Sequence, residues 1–335
     1  MPPSQPLSDL VRDSKIETEV SDTYTQHTFY RSGNSARERL VRRVERWVRE
    51  TSLGKGAYGT VYRERCEQRG SQKLRAVKEI KKYVVVGEEV DYTRELEAIA
   101  KFSHPKYSHC FVRSDGWYEV GDTVFITMEY LELGDLQRYL SMPLPESEAR
   151  DIASQILEGL KYMHENGFIH RDLKPGNILV VTKGPDWFVK IADFGISKRR
   201  QQGITTLHTL QRGTFGFAAP EVLGLQPDDS ASSYTFAVDL WSLGAVIYRM
   251  LTNTIAFQNF AELFKYSKGE LKFPIANIEA CDISEHGQDF IAKLMSPMPD
   301  ARLSAASACN HPWILSPPII ANKTPKTRPA KANFP

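Results

Sequence analysis

The stretch that decides the fold is Ile169-His170-Arg171-Asp172-Leu173-Lys174-Pro175-Gly176-Asn177-Ile178-Leu179. Within eight residues it contains an acid, two bases, an amide and a histidine, and its flanks are apolar, as in short strands. A solvated loop has no need of apolar flanks, and a core strand cannot bury so many charges without partners. The stretch therefore predicts a buried turn that holds polar groups around something anionic or metallic.

A second stretch, Leu53-Gly54-Lys55-Gly56-Ala57-Tyr58-Gly59-Thr60-Val61, has the pattern Gly-x-Gly-x-x-Gly-x-Val. Glycines suit phosphate binding because a chain without Cβ atoms can approach phosphates closely and offer them its N–H groups. A glycine-rich hairpin and a Rossmann dinucleotide site share this pattern. The Rossmann site needs a helix after the last glycine. Strand-like residues 60–65 follow here instead, which disfavours it.

Further motifs connect the polar turn to a known family. Residues 170–177 follow the pattern His-Arg-Asp-Leu-x-x-x-Asn, and Asp193-Phe194-Gly195 begins sixteen residues after Asn177. Gly213-Thr214 then precedes Ala219-Pro220-Glu221. In this order the motifs resemble those of the eukaryotic Ser/Thr protein kinases, and the resemblance covers residues 47–315. It implies an α+β protein kinase fold of two lobes, with a small β-rich N-lobe at 47–130 and a larger helical C-lobe at 131–315.

The composition agrees with two lobes. β-Branched and aromatic residues alternate in segments that predict strands at 47–53, 60–66, 73–80, 109–120 and 123–130. Apolar residues at helical spacing predict helices at 92–102 and 146–166, and an apolar, buried helix at 236–251.

The resemblance assigns the chemistry to the polar turn and its neighbours. It implies that Asp172 is the base that orients the substrate hydroxyl, that Lys174 reaches the transferred phosphate, and that ATP and Mg²⁺ are the cofactors. Asn177 and Asp193 would hold Mg²⁺, which selects hard oxygen ligands. Lys78 would hold the α- and β-phosphates and pair with a helix glutamate. We expect this to be Glu95, nine residues before His104-Pro105, and the alternatives are Glu97, Glu88 and Glu89.

The resemblance also implies a nucleotide pocket. The backbone of Glu129 and Leu131 would bind the adenine edge, Met128 would guard the pocket behind it, and Asp135 would accept a hydrogen bond from the ribose. The adenine ring would lie between apolar side chains. The full set expected to contact ATP is Leu53, Gly54, Lys55, Gly56, Gly59, Val61, Ala76, Lys78, Met128, Glu129, Leu131, Asp135 and Leu179.

Other residues of the motifs are expected to be structural. By the resemblance, His170 and Phe194 stack with Ile99 in a column that joins the lobes. Asp239 would anchor the backbone of the catalytic turn, because a buried Asp requires partners. Glu221 would pair with Arg302.

Composition and charge bound the remaining interpretation. The 335 residues carry a net charge of +2, which gives no nucleic-acid or membrane signal, and no apolar run is long enough to span a membrane. Four scattered cysteines argue against a zinc site or a disulfide framework and favour a reducing compartment, cytoplasmic or nuclear. We expect a disordered segment at 1–35, a basic helical lead-in at 36–46, and a basic, proline-rich disordered tail at 316–335.

The sequence thus predicts a kinase that phosphorylates Ser/Thr residues of proteins. Arg171 and nearby basic residues could order the activation segment around a phosphate on Thr205, Thr206 or Thr209, with Thr209 nearest the Gly-Thr turn. A mobile polar loop without phosphorylation stays open. Two other functions also stay open: a pseudokinase or scaffold that binds nucleotide or partners without catalysis, and a phosphotransferase that acts on small molecules.

Overall fold

The structure is a computed structural model that describes residues 7–35, 38–55, 59–68, 70, 72–85, 88–89, 92–194, 215–225 and 235–316. Its strands are β1 (Glu17–Val20), β2 (Thr25–Ser35), β3 (Glu38–Lys55), β4 (Gly59–Cys66), β5 (Leu74–Lys81), β6 (Tyr83–Val85), β7 (Glu88–Glu89), β8 (Ser114–Val120), β9 (Thr123–Glu129), β10 (Ile178–Thr182) and β11 (Phe188–Ile191). Its α-helices are α1 (Asp9–Asp13), α2 (Thr93–Phe102), α3 (Glu146–Glu165), α4 (Ala237–Thr252), α5 (Phe260–Ser267), α6 (Ala276–Glu279), α7 (Glu285–Leu294), α8 (Ala305–Cys309) and α9 (Pro312–Leu315). None of these helices combines the length and the apolar character that crossing a membrane requires.

The N-terminal lobe is a seven-stranded antiparallel sheet in the order β1-β2-β3-β4-β5-β9-β8. Side chains alternate across its faces, and on β5 they bury Arg75 and Val77 on the same face. The helix α2 packs against β8 and α1. Its buried side is formed by Leu96, Ile99 and Phe102, which recur at helical spacing.

The C-terminal lobe is helical and packs around α3 and α4. On α3, Ile152, Leu160 and Met163 are fully buried, as their shared face predicts. The helix α4 is apolar over most of its surface and buried along nearly its whole length. The hairpin β10–β11 follows directly after the polar turn, so the turn lies between the helices of this lobe and a short sheet. The two-lobed α+β fold is confirmed.

The predicted elements from residue 47 onward are present, but several of them begin at other residues than expected. The helices expected at 92–102 and 236–251 begin one residue later, at Thr93 and Ala237. The strand expected at 109–120 begins at Ser114. The preceding residues Cys110 and Phe111 are buried beside β11 instead.

Two expectations for the N-terminal region are wrong. Residues 7–35 contain a helix and two strands rather than a disordered segment, and the part of the expected helix 36–46 that is described belongs to β3. The alternation of Glu45 and Trp47, both buried on one face, fits a strand and not a helix. Pairing with β2 then satisfies the backbone, so tertiary context overrides the helical spacing of the valines. The tail from residue 317 lies outside the described residues.

Candidate active site

The polar turn at 170–177 is hydrogen-bonded to one buried carboxylate. Asp239 on α4 is fully buried, and its Oδ2 and Oδ1 accept hydrogen bonds from the backbone N–H groups of His170 and Arg171, both at 2.8 Å. His164 on α3 donates to the same Oδ2 at 2.8 Å. Arg171 adopts a left-handed backbone conformation with φ of 65°. Two backbone donors and one side-chain donor therefore fix the start of the turn.

Both ring nitrogens of His170 have a hydrogen-bond partner. Its Nε2–H donates to the carbonyl of Ala192 at 3.1 Å, and its Nδ1 accepts from the backbone N–H of Asp172 at 3.3 Å. These partners define a neutral tautomer, because a carbonyl can only accept and an amide N–H can only donate. The ring thereby joins the polar turn to the residue that precedes Asp193, and neither nitrogen is available to a substrate.

Three polar side chains of the turn converge. The Nζ atom of Lys174 lies 2.8 Å from Oδ2 of Asp172. The Asn177 amide nitrogen donates to the Asp172 backbone carbonyl at 2.7 Å and to its carboxylate at 3.2 Å. Because its nitrogen is used in this way, Asn177 has its amide oxygen left for a cation.

Lys78 on β5 lies between two carboxylates from different parts of the chain. Its Nζ atom is 2.5 Å from Oε1 of Glu95 on α2 and 2.5 Å from Oδ1 of Asp193. The structure thus brings Glu95 to the lysine, and no described ion pair joins Glu97 to it. Burial opposes the charge on Lys78, but the carboxylates outweigh it and raise the pKa of the lysine. Burial raises the pKa of Glu95, while Lys78 lowers the pKa of Asp193 against the effect of burial.

Asp193 and Asn177 offer oxygen ligands to a metal ion. The side chain of Asp193 is 42% exposed although the adjoining Glu95 is almost fully buried, so one face of this carboxylate is open. Its backbone φ of 54° turns the chain sharply at this residue. A carboxylate and an amide oxygen are the hard donors that Mg²⁺ takes, so the residues present fit this ion.

The structure describes several of the residues that are expected to line an adenine pocket. Ala76 is buried, and Val61, Met128 and Leu179 are half-buried; these residues belong to β5, β4, β9 and β10 respectively. Leu53 near the end of β3 is 38% exposed. The walls are apolar and come from both lobes.

The segment that joins the lobes offers a backbone donor to a ligand. The Glu129 N–H donates to the carbonyl of Arg113 at 3.0 Å, whereas the N–H of Leu131 has no partner among the residues that the structure describes. The Glu129 carboxylate accepts from Lys190 at 2.7 Å, so the strand β11 holds this segment in place. The Asp135 carboxylate accepts from the N–H of Arg138 at 3.3 Å and caps the short turn that follows.

The glycine loop is described at Gly54, Lys55 and Gly59, and Gly56 lies outside the described residues. A Cβ added to Gly59 would lie 1.6 Å from the carbonyl oxygen of Glu79. Only glycine therefore allows β4 to run this close to β5. No described atom lies within 4 Å of a Cβ added to Gly54, so the space above it is open.

Phe194 stacks on aromatic rings that the sequence did not single out. Its ring centroid lies 5.5 Å from that of Phe102, with an angle of 16° between the two ring planes, and 5.4 Å from the ring centroid of Phe111. Ile99 is buried in the same apolar cluster. Phe102 ends α2, so this stack connects the helix that carries Glu95 to the residue after Asp193.

A second ion pair closes the C-terminal lobe. Arg302 and Glu221 form a two-pronged contact, with Nη1 to Oε1 at 2.6 Å and Nη2 to Oε2 at 2.9 Å. The guanidinium is fully buried and also donates to the carbonyls of Ser296 and Ala237. Such planar pairing fixes the end of the activation segment firmly. Thr205, Thr206 and Thr209 lie outside the described residues.

Sequence reasoning missed several residues that complete this site. Lys190, which binds Glu129, could have been noticed as a lone charge in the apolar strand β11. His164, which binds Asp239, is the last basic residue of α3 and carried no motif signal. Phe102 and Phe111 looked like ordinary core residues, since only the three-dimensional structure brings them to Phe194.

This combination of fold and contacts defines a protein kinase domain. The family model described as "Protein kinase domain" matches residues 47–314, and the chain belongs to this family. The identification made from the sequence motifs is confirmed.

Two curated relatives and one solved structure place the chain within the family. It is 36% identical over 277 residues to the serine/threonine-protein kinase RAD53 of Saccharomyces cerevisiae, and the match covers 80% of this chain and 33% of the relative. It is 35% identical over 239 residues to the serine/threonine-protein kinase cds1 of Schizosaccharomyces pombe, covering 70% of this chain and 50% of the relative. The chain therefore spans a third to a half of the length of these two relatives.

The solved structure is that of residues 1–466 of Rad53 in complex with AMP-PNP. It matches with a TM-score of 0.63 and 35% identity, covering 79% of this chain and 64% of that one. At this identity the likeness extends beyond the fold to the sequence of the domain.

Proposed function

We propose that this protein transfers the γ-phosphate of ATP to Ser/Thr hydroxyls of protein substrates. The observation that carries the proposal is the position of Lys78, whose Nζ atom lies 2.5 Å from both Glu95 and Asp193. A lysine held between two carboxylates keeps its charge in a buried place, where it is needed to bind phosphates. The names of the relatives support Ser/Thr protein substrates.

Asp172 orients the substrate hydroxyl in this proposal. Its carboxylate is held by Lys174 at 2.8 Å and by Asn177 at 3.2 Å, so it cannot rotate freely. A carboxylate fixed in this way can accept the hydroxyl proton while the ammonium of Lys174 lies next to the transferred phosphate. Positioning and charge compensation are the main demands of phosphoryl transfer, and these residues meet both.

ATP would occupy the pocket between the lobes. Val61, Ala76, Met128 and Leu179 supply apolar walls for the adenine ring. The N–H of Leu131, which has no partner in the described part of the chain, could donate a hydrogen bond to the adenine edge. The solved Rad53 structure is a complex with AMP-PNP, an analogue of ATP, and this supports ATP as the nucleotide.

Asn177 and Asp193 would hold Mg²⁺. The ion supplies positive charge that offsets the charge on the phosphates. The chain's own contribution is to keep the two oxygen donors fixed, Asn177 through Asp172 and Asp193 through Lys78. Replacing Asn177 by Asp should lower the Mg²⁺ concentration needed for half-maximal nucleotide binding, because a second carboxylate attracts the ion more strongly.

The proposal includes control by phosphorylation of the activation segment. Thr205, Thr206 and Thr209 lie near Lys198 and other basic residues in the sequence, which a phosphate could draw together. We expect Thr209→Ala to lower activity most among the single variants. Full activity of a triple Ala variant, with no phosphate found on the segment by mass spectrometry, would rule this part out.

The compartment is proposed as cytoplasmic or nuclear. The four cysteines Cys66, Cys110, Cys281 and Cys309 are free, as expected where thiols stay reduced. Microscopy of the tagged protein tests this location.

A transfer assay tests the proposed activity directly. Purified protein is incubated with labelled ATP, Mg²⁺ and a basic protein substrate, and label on Ser or Thr is measured after acid hydrolysis. Asp172→Asn and Lys78→Met variants serve as inactive controls, and Asp151→Asn serves as an exposed-acid control that should keep activity. Label transfer that persists in both inactive variants would refute the assignment. Nucleotide binding without transfer by the unmodified protein would instead support the scaffold alternative.

A further inference from the structure

The residues before β1 lie across the groove between α2 and β8. We call residues 9–16, which comprise α1 and the three residues after it, the strap. The strap lies outside residues 47–314, which the family model matches. Its residue Val11 is fully buried, and α1, which carries it, packs against α2. One side chain of the strap is therefore part of the core around α2.

Three hydrogen bonds join the strap to a single residue of β8. The Ile16 N–H donates to the carbonyl of Trp117 at 2.7 Å, and the Trp117 N–H donates to the carbonyl of Ser14 at 3.1 Å. The Trp117 indole N–H donates to the carbonyl of Val11 at 2.8 Å. Backbone and side-chain contacts thus set the register of the strap.

Gly116 of β8 leaves room for the strap because it has no Cβ atom. Its φ of 130° is a conformation that side chains rarely adopt, and an added Cβ would lie 2.5 Å from the Ser14 carbonyl oxygen and 2.8 Å from Ile16. Any larger residue at this place would displace the strap.

An ion pair and a cation–π contact also attach the strap to β8. Lys15 lies 2.5 Å from the carboxylate of Glu119, which also accepts from Lys82 at 2.8 Å. The Lys15 ammonium lies 5.1 Å from the centre of the Trp117 ring. Such exposed pairs contribute little stability by themselves, so they mainly orient the strap.

The attachment bears directly on the candidate active site. The helix α1, which carries Val11, packs against α2, the helix that carries Glu95, and Glu95 contacts Lys78 at 2.5 Å. We propose that the strap positions α2 so that Glu95 stays at Lys78, which makes Val11 a positioning residue for phosphoryl transfer. This inference rests on the proposed kinase activity for its catalytic consequence. Its structural part, that the strap holds α2, does not.

The experiment compares Val11→Asp with Leu10→Asp in the whole 335-residue chain. Leu10 is the neighbouring residue of α1 and is 48% exposed, so an acid there meets water. Hydrogen exchange of the α2 amides and kcat/KM for a protein substrate are measured well below the melting temperature. We expect Val11→Asp to raise exchange in α2 and to lower kcat/KM about tenfold, within the usual range of coupling between sites. Leu10→Asp should change neither.

A double-mutant cycle separates positioning from general damage. In a Glu95→Gln background the pair with Lys78 is already weakened, so Val11→Asp should lower kcat/KM by less than about twofold further. An equal loss in both backgrounds, or unchanged α2 exchange in Val11→Asp, would overturn the inference. If Val11→Asp does not fold, Val11→Ala enters the same cycle with the same criteria. If the unmodified protein transfers no phosphate but Val11→Asp still loosens α2, the proposed activity fails and the role of the strap in holding α2 stands.

Discussion

The replacement Asp239→Asn tests the central support of the candidate site. Asp239 accepts three hydrogen bonds at 2.8 Å on two oxygens, from His170 N–H, Arg171 N–H and His164. Asparagine has one oxygen and one NH₂ group, so in either orientation the NH₂ group faces a backbone N–H. At least one buried donor is left without an acceptor, which costs about 1–3 kcal/mol. Each remaining bond loses its charged acceptor, which costs about 1 kcal/mol more.

The expected loss in the free energy of unfolding is therefore about 3–5 kcal/mol. Because the turn carries Asp172, its displacement should also lower kcat by about 10- to 100-fold. Urea denaturation and the phosphotransfer assay measure these two quantities. Asp289→Asn is the matched control, since Asp289 is also hydrogen-bonded but its side chain is 48% exposed. A loss below about 1 kcal/mol is expected there. If Asp239→Asn were as stable and active as the control, the reasoning would be refuted.

Three other predictions concern residues of the N-terminal lobe. Glu95→Gln should lower kcat/KM about tenfold or more because it weakens the contact with Lys78, the lysine proposed to bind the phosphates, and Glu97→Gln should leave it unchanged. Burial, together with the charge of Arg75, lowers the pKa of His27 from 6.5 to about 3. Protonation therefore favours the unfolded chain, and stability should fall by about 2 kcal/mol from pH 7 to pH 5; His27→Gln should reduce this slope in pH-dependent denaturation. Gly59→Ala should lower the free energy of unfolding by about 1–3 kcal/mol, whereas Gly54→Ala, with open space around it, should have a smaller effect.

Contacts between site residues that are close together in the sequence could be predicted. Asp172, Lys174 and Asn177 lie within six residues, so a single turn brings them together. The spacing of Glu95 from His104-Pro105 also identified the glutamate that contacts Lys78, although 17 residues separate the two. In these cases the residue types of a motif predict the chemistry, and their spacing predicts which side chains come together.

Contacts that depend on distant strands could not be predicted in this way. The strand β3 looks helical in isolation, because Val44 and Val48 are four residues apart. Its structure depends on pairing with β2, in which Thr28 lies opposite Val44. The partner strand lies in a segment that is rich in Ser, Thr and charged residues, a composition that predicts disorder rather than a strand. The contact of Lys190 with Glu129 is similar, because 61 residues separate them and neither belongs to a motif that specifies the other.

The strap has a further consequence for solubility. β8 is the last strand of the sheet, and its Trp117 would otherwise present an unpaired N–H and carbonyl at the margin. Ser14 and Ile16 occupy both groups. An uncovered strand with the sequence Trp117-Tyr118-Glu119-Val120 would be a template for pairing with other chains, because it is rich in residues that favour strands. We therefore expect a shortened protein that lacks the strap to aggregate more readily at high concentration.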